Sequence, residues 1–193
     1  MHVFSEGDPA QRIYEVVEGR VMLYKLLPDG RRQIVELVDA GGVFGISTLP
    51  IYDGFAEALT ACRVVSYDRS AAGQSIELWR RLTARVQVQF CALHAHAVVL
   101  GRKSATERMA SFVMQCIPGR GGYDCPGPRG TDNSARIRLC MTRQEIADYL
   151  CLTIETVSRT LTALRRRGVV SIEKPEQLCV KDVCRVCRLT GDR

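Results

Sequence analysis

The sequence predicts an α+β protein: a small β-roll, then a long helix, then a compact module of two short helices and a β-hairpin. Three observations predict it. Apolar, β-branched runs separated by Glu-Gly, Asp-Gly and Gly-Gly turns fill residues 1–78. From about Gly73 the apolar period lengthens to a helical one. Around residues 142–166 two capped helical stretches stand before a short hairpin.

The roll comes first. Residues 13–17, 21–27 and 33–38 read as strands that end at Glu18-Gly19, Pro28-Asp29-Gly30 and Asp39-Ala40-Gly41-Gly42. Glycine supplies the positive φ of tight hairpins, and the β-branched residues between suit a pleated sheet. The sheet continues through residues 58–61 and 63–67. Short strands spaced by about 8–12 residues close into a small barrel or roll.

Next comes the helix. Leu78, Leu82, Val86, Leu93 and Leu100 are four or seven apart, with Gln89 or Phe90 and His96 or Ala97 between them. They form one stripe on a helix of about 25 residues. Two destinations fit it: the chain's own roll, or a parallel seam with a second copy through Leu82, Val86, Leu93 and Leu100. Val88, Ala92, Ala95 and Val99 on the opposite face let both hold in part. A second helix runs from Ser104 to about Cys116, with Ser104-Ala105-Thr106-Glu107 as its capping box. Pro118 to Ser134, rich in glycine and proline, reads as a long loop, and residues 136–140 as a short strand.

Thr142-Arg143-Gln144-Glu145 is a second capping box, followed by Ile146, Ala147 and Leu150 as the buried face of a short helix. Thr153 caps another helix, which buries Ile154, Val157, Leu161 and Leu164 and ends at Arg165-Arg166-Arg167-Gly168. Two short helices joined by a tight turn, the second polar near its N-terminus, make a helix-turn-helix. Residues 169–173 and 177–180, around Lys174-Pro175-Glu176, add a hairpin wing. Glu155, Thr156, Ser158, Arg159 and Thr162 fall on the exposed side of the second helix. Glu155 and Arg159, four apart, can orient each other as an ion pair. In a major groove arginine suits guanine O6 and N7, and glutamate accepts from a cytosine or adenine amino group. A plain surface ion pair fits the same spacing.

Charge supports the DNA reading. Residues 1–101 carry 10 basic and 11 acidic groups, a net −1, and residues 102–193 carry 17 and 10, a net +7. A basic half of this kind gains from counterion release at phosphates. Thr142, Arg143, Thr153, Thr156, Arg165 and Arg166 are the candidates for the DNA backbone. With 46% hydrophobic and 25% charged residues the chain is globular. No apolar run reaches the roughly 18 residues of a bilayer span, and Met1 to Asp8 lacks the pattern of a secretory signal, so a cytoplasmic location without membrane contact is expected. No nucleophile–base pair or phosphate-cradling loop stands out, so an enzyme is not expected.

These runs resemble the superfamily of the cyclic-AMP receptor protein and the fumarate–nitrate reduction regulator, and within it the FixK-type branch. Phe4 to Ala10, Tyr24 to Ile34 and Gly42-Val43-Phe44-Gly45 are similar to its cyclic-nucleotide-binding-like β-roll. Leu100 to Ala105 is similar to the junction after its dimerisation helix, and residues 141–150 and 152–160 are near-verbatim for the branch. The resemblance implies a winged helix-turn-helix regulator binding double-stranded DNA as a homodimer on a TTGAT-like palindrome. Glu155, Ser158 and Arg159 then hold the base-reading positions. It also implies activation, with RNA polymerase as a partner, of microaerobic or nitrogen-fixation genes. The division it suggests is a sensor-like roll over 1–78, dimerisation and following helices over 79–117, and the DNA-binding domain over 118–193.

Departures from the family pattern matter as much. Cyclic-AMP binders carry a glutamate after Phe-Gly and an Arg-Ser or Arg-Thr before the next Ala-x-Ala; here stand Ile46 and Phe55-Ala56-Glu57-Ala58. No cyclic nucleotide or other cofactor is therefore expected. The iron–sulfur branch needs an N-terminal cysteine cluster and one cysteine in the roll; no cysteine precedes Cys62, and Val65 stands at the roll position. The family's first strands are absent from the chain, which is expected to leave roll edges unpaired. Cys151 replaces the usual turn glycine, at a cost of about 1 kcal/mol.

Nine cysteines stand at 62, 91, 116, 125, 140, 151, 179, 184 and 187. Cys184-Arg185-Val186-Cys187 is one C-x-x-C pair, whereas a structural zinc site takes four ligands, so no metal is expected. The alternative function is a redox- or metal-responsive DNA-binding switch that uses these thiols, Cys151 or Cys140 foremost.

Overall fold

Alternation along the N-terminal strands is imperfect because one of the two sheets they build is buried on both faces. The structure, a computed structural model, describes residues 1–119, 133–174 and 176–192. Its two compact units are Met1–Ala95 and His96–Arg193.

In the first unit, β1 (His2–Phe4), β3 (Arg20–Leu26), β4 (Arg32–Asp39) and β6 (Phe55–Ala58) form an antiparallel sheet in the order β1-β6-β3-β4. A second sheet has the order β5-β2-β7, from β2 (Arg12–Glu18), β5 (Val43–Phe44) and β7 (Arg63–Asp68). Between the sheets lie Phe4, Val16, Val21, Val38, Phe44 and Tyr52. Phe4 stacks on Tyr52 with ring centroids 3.8 Å apart. On the other side of the second sheet, Ile13 and Val43 meet Ala72 of α1 (Arg69–Gln74) and Leu82 of α2 (Ile76–Arg102). Ile13 and Val16 thus serve opposite cores from one strand, as do Val43 and Phe44.

Four strands match the sequence reading closely, and one is displaced. The strand expected at 58–61 lies at Phe55–Ala58. Residues 59–61 instead curl over Gly19, whose φ is +88° and whose Cβ, if present, would sit 2.3 Å from the Ala61 carbonyl oxygen. The Thr60 hydroxyl accepts the Arg20 amide there at 2.9 Å. β1, β5 and α1 were not foreseen, being too short to show a period.

α2 corrects part of the expected seam. Leu82 is 2% exposed within its own chain, and Val86 and Leu78 pack against the same cluster. Leu82 is therefore spent on the roll, and Val86 is half-buried against it. Gln89, on the same side, lies along the β5 edge: its side chain accepts the Val43 amide at 2.8 Å and donates to the Val43 carbonyl at 2.9 Å. Leu93 and Leu100 are half-buried. The open face of α2 carries Val88, Phe90 and Val98, each more than half exposed, with Ala84, Cys91 and Ala95.

In the second unit, Ser104 caps α3 (Ala105–Gln115) through the expected box, with Glu107 Oε2 accepting the Ser104 amide at 2.7 Å. α3 buries Met109, Ala110, Phe112, Val113 and Met114. α4 (Arg143–Leu150) and α5 (Ile154–Arg166) pack with it, beside a sheet ordered β8-β10-β9. Its strands are β8 (Ala135–Arg138), β9 (Val170–Lys174) and β10 (Gln177–Val180), and α6 (Val183–Arg188) closes the unit. Most of the expected loop (120–132, with Cys125) and Pro175 of the wing turn lie outside the described residues.

Truncating Leu82 to alanine is expected to destabilise the first unit by about 2–5 kcal/mol, the cost of a cavity in a sealed core. Val88→Ala, on the open face, is expected to cost under about 0.5 kcal/mol. Chemical denaturation of both variants checks the contrast.

Candidate nucleic-acid interface

The helix-turn-helix is built from caps inward. Thr142 Oγ1 accepts the Glu145 amide at 3.2 Å, and Glu145 Oε2 accepts the Thr142 amide at 2.7 Å. This closes the first turn of α4, which buries Ile146, Ala147, Tyr149 and Leu150. The chain then reverses through Cys151, with φ 51° and ψ 49°, in the left-handed region expected for the family's glycine. Its amide and that of Leu152 both donate to the Ala147 carbonyl. Thr153 restarts the chain as the cap of α5, its hydroxyl accepting the Thr156 amide at 3.2 Å.

α5 buries Val157, Thr160, Leu161 and Leu164. Ile154, expected inside, is 39% exposed: as the first helical residue it lies before the face that meets α3 and α4. Thr160 was not foreseen in the core, yet it is buried because its hydroxyl donates back to the Thr156 and Val157 carbonyls. Thr162 is half-buried and donates in the same way to Ser158.

Glu155, Ser158 and Arg159 are all exposed on the N-terminal half of α5. They are not joined as the spacing suggested. Arg159 Nη2 donates to the Thr156 hydroxyl at 3.1 Å, one turn back. The Glu155 pKa is lowered first by its own backbone amide, then by the Thr153 hydroxyl, and less by the charge of Arg159. The physical reason is position: Glu155 sits in the first turn, where free amides attract a carboxylate more strongly than an arginine one turn away. Thr156, predicted to face the DNA backbone, is half-buried and orients Arg159.

Among the other expected contacts, Thr142 and Thr153 are exposed caps, and Arg165 and Arg166 are exposed at the end of α5 with Arg167. Arg143 is half-buried, and burial lowers its pKa. Arg136 and Arg138 were not among the expected contacts. Both are exposed on β8 and flank buried Ile137, an alternation the sequence does show.

The roll holds a cavity of about 140 Å³ lined by Leu23, Tyr24, Lys25, Ile46, Asp53 and Phe55, among others, below the roughly 300–1,000 Å³ of small-molecule pockets. Lys25 is paired with Asp53 at 2.8 Å, and Tyr24 stacks on Phe55 at 5.0 Å. Among the described residues, no three His, Cys, Asp or Glu side chains gather to hold a metal ion. Cys179, Cys184 and Cys187 are half-buried.

The bacterial regulatory proteins of the crp family match residues 139–170, and the cyclic nucleotide-binding domain matches residues 2–77. The nitrogen fixation regulation protein FixK of Azorhizobium caulinodans is 38% identical over 194 aligned positions, covering 97% of this chain and 75% of that protein. The chain belongs to the crp family. FixK of Bradyrhizobium diazoefficiens is 39% identical over 178 positions, covering 88% of this chain and 70% of that protein. The solved structure of FixK2 from Bradyrhizobium japonicum superposes with a TM-score of 0.79 at 34% identity, covering 98% of this chain and 92% of that one. This crp-family chain is a DNA-binding transcription regulator and not an enzyme, and its fold is the cyclic-nucleotide-binding roll joined to a C-terminal helix-turn-helix. Among the described residues no helix is long and apolar enough to cross a membrane.

Cys151 is the one non-glycine residue with positive φ among the described residues. Cys151→Gly is expected to stabilise the second unit by about 0.5–1 kcal/mol, the relief of the left-handed backbone less the added unfolded-state entropy. Thermal unfolding of the variant beside the wild type checks the sign.

Proposed function

We propose that this regulator acts as a homodimer and reads a TTGAT-like palindrome through Glu155, Ser158 and Arg159. The observation that carries the reading is the exposure of these three side chains together on the N-terminal half of α5, with Arg159 steadied by Thr156. Arg159 reads guanine, Glu155 accepts from a base amino group, and Ser158 meets a base edge or thymine methyl. Thr142, Arg143, Thr153, Arg165 and Arg166 serve the phosphate backbone around them. The proposed division is a roll over 1–78, helices over 79–117 and a DNA-binding domain over 118–193. Its targets are microaerobic or nitrogen-fixation genes, activated with RNA polymerase and without a cyclic nucleotide, a reading supported by the kinship to FixK proteins and the cavity's paired Lys25.

The dimer seam we propose differs from the one the leucine spacing suggested. Ala84, Val88, Cys91, Ala95 and Val98 recur at alternating steps of four and three, all exposed. Residues 86–101 contain no Asp, Glu, Lys or Arg. An apolar, uncharged heptad face that repels no copy of itself suits a two-stranded coiled coil, and the alanines let the backbones approach.

Binding to a TTGAT-N4-ATCAA duplex beside a scrambled one tests the reader. The wild type is expected to prefer the first, and Arg159→Ala to lose about 1–3 kcal/mol of that preference. Equal binding of both duplexes by both proteins overturns the reading. A mild thiol oxidant is expected to join two copies covalently through Cys91, and Cys91→Ser to abolish that band; an unchanged band moves the seam elsewhere.

A further inference from the structure

We infer that Arg108 is a positioning residue for operator reading: it holds the left-handed turn between α4 and α5 and thereby sets the angle at which α5 presents its reading face. The inference rests on α5 being the base-contacting helix. Arg108 is the fourth residue of α3 and is half-buried. Its Nε donates to the Lys103 carbonyl at 2.9 Å. Its Nη1 donates to the Leu150 carbonyl at 3.0 Å and to the Cys151 carbonyl at 3.3 Å. Lys103 follows the last residue of α2, Leu150 is the last residue of α4, and Cys151 is the cap of α4.

The chemistry of these acceptors explains why a cation sits there. The final carbonyls of a helix have no amide partners and carry the negative end of its dipole. A guanidinium can serve several carbonyls in fixed directions because its donors form a rigid fork; an ammonium is a single point on a flexible stem. The turn also needs outside support. Its Cys151 lacks the freedom of the glycine that such a position favours, so the left-handed conformation is held against its own preference.

The rest of α4 is held on another side. The Tyr149 ring stacks on His96 of α2, centroids 4.1 Å apart and planes 11° from parallel. The Tyr149 hydroxyl donates to Gln115 of α3 at 3.1 Å. These contacts fix the body of α4, whereas Arg108 holds carbonyls of its last residue and of the turn. A change at the end of α2 can therefore reach the turn by way of Lys103 and Arg108.

The test uses the full chain with Arg108→Ala, Arg108→Lys, Cys151→Gly, and Cys151→Gly combined with Arg108→Ala. It measures affinity for the TTGAT-N4-ATCAA and scrambled duplexes, and hydrogen exchange at the Cys151 and Leu152 amides. For Arg108→Ala, operator affinity is expected to fall about tenfold, the usual weight of a charged hydrogen bond, with scrambled-duplex affinity within about twofold because many arginines share the phosphates. The two turn amides are expected to exchange about tenfold faster while the Val157 amide keeps its protection. Arg108→Lys, which keeps the charge without the fork, is expected to lose about threefold, and it stands in if the alanine variant fails to fold. Cys151→Gly added to Arg108→Ala is expected to restore most of both readouts, because glycine holds the turn unaided. A plain packing role would give no such rescue. Wild-type operator binding and exchange in Arg108→Ala, or failure of glycine to restore either readout, overturns the inference. If the wild type does not distinguish the duplexes, the reading of α5 fails, and the exchange data alone decide whether Arg108 holds the turn.

Discussion

The turn between α4 and α5 can close in so few residues only because one of them adopts a left-handed backbone. That constraint fixes the angle between the two helices, and with it the direction of every exposed side chain on α5. The elements around the turn bear on it. The Thr142–Glu145 box starts α4 at a defined residue, Thr153 starts α5 at another, and two amides converge on the Ala147 carbonyl. The presentation of the exposed side chains of α5 therefore depends on backbone geometry several residues away from them. Placing cysteine at the left-handed position makes that geometry less self-sufficient than glycine would.

α2 obeys a different constraint, that of a helix with two apolar faces. One face completes the core of the roll through Leu82 and seals the β5 edge through Gln89. The other is open, uncharged through residues 86–101, and rich in alanine and valine. Burial of the first face stabilises the unit by itself, and the second face is therefore available for assembly. The roll shows a comparable division of labour: β2 and β5 each contribute to two cores, so the middle layer cannot be altered without affecting both.

Much of this was legible in the residues. The caps at Ser104, Thr142 and Thr153, the left-handed residue at 151 and most of the buried faces of α4 and α5 follow from local chemistry, which acts over three or four residues. Short elements were not legible: β5 has two residues and β1 three, too few for a period to show. The leucine stripe was correctly seen, but its destination was open, because an apolar face does not say whether it meets its own roll or another chain. Ile154 failed for a similar reason, since helical spacing marks a face but not where the neighbouring helices begin to cover it.

On the exposed face of α5 the spacing of Glu155 and Arg159 allowed an ion pair, and the folded chain did not make it. Sequence alone determined that these side chains share an exposed surface, because helical geometry and the burial of Val157, Leu161 and Leu164 leave them no other side. It also determined family and fold class, through long runs of motif and turn chemistry. Only the folded structure decided which partners Glu155, Arg159 and Arg108 take. Free amides at a helix start compete with an arginine for a carboxylate, and a threonine one turn back competes for the arginine. The carbonyls at the end of α4 found Arg108, distant in sequence. That last choice depends on distances between elements, which no local pattern contains.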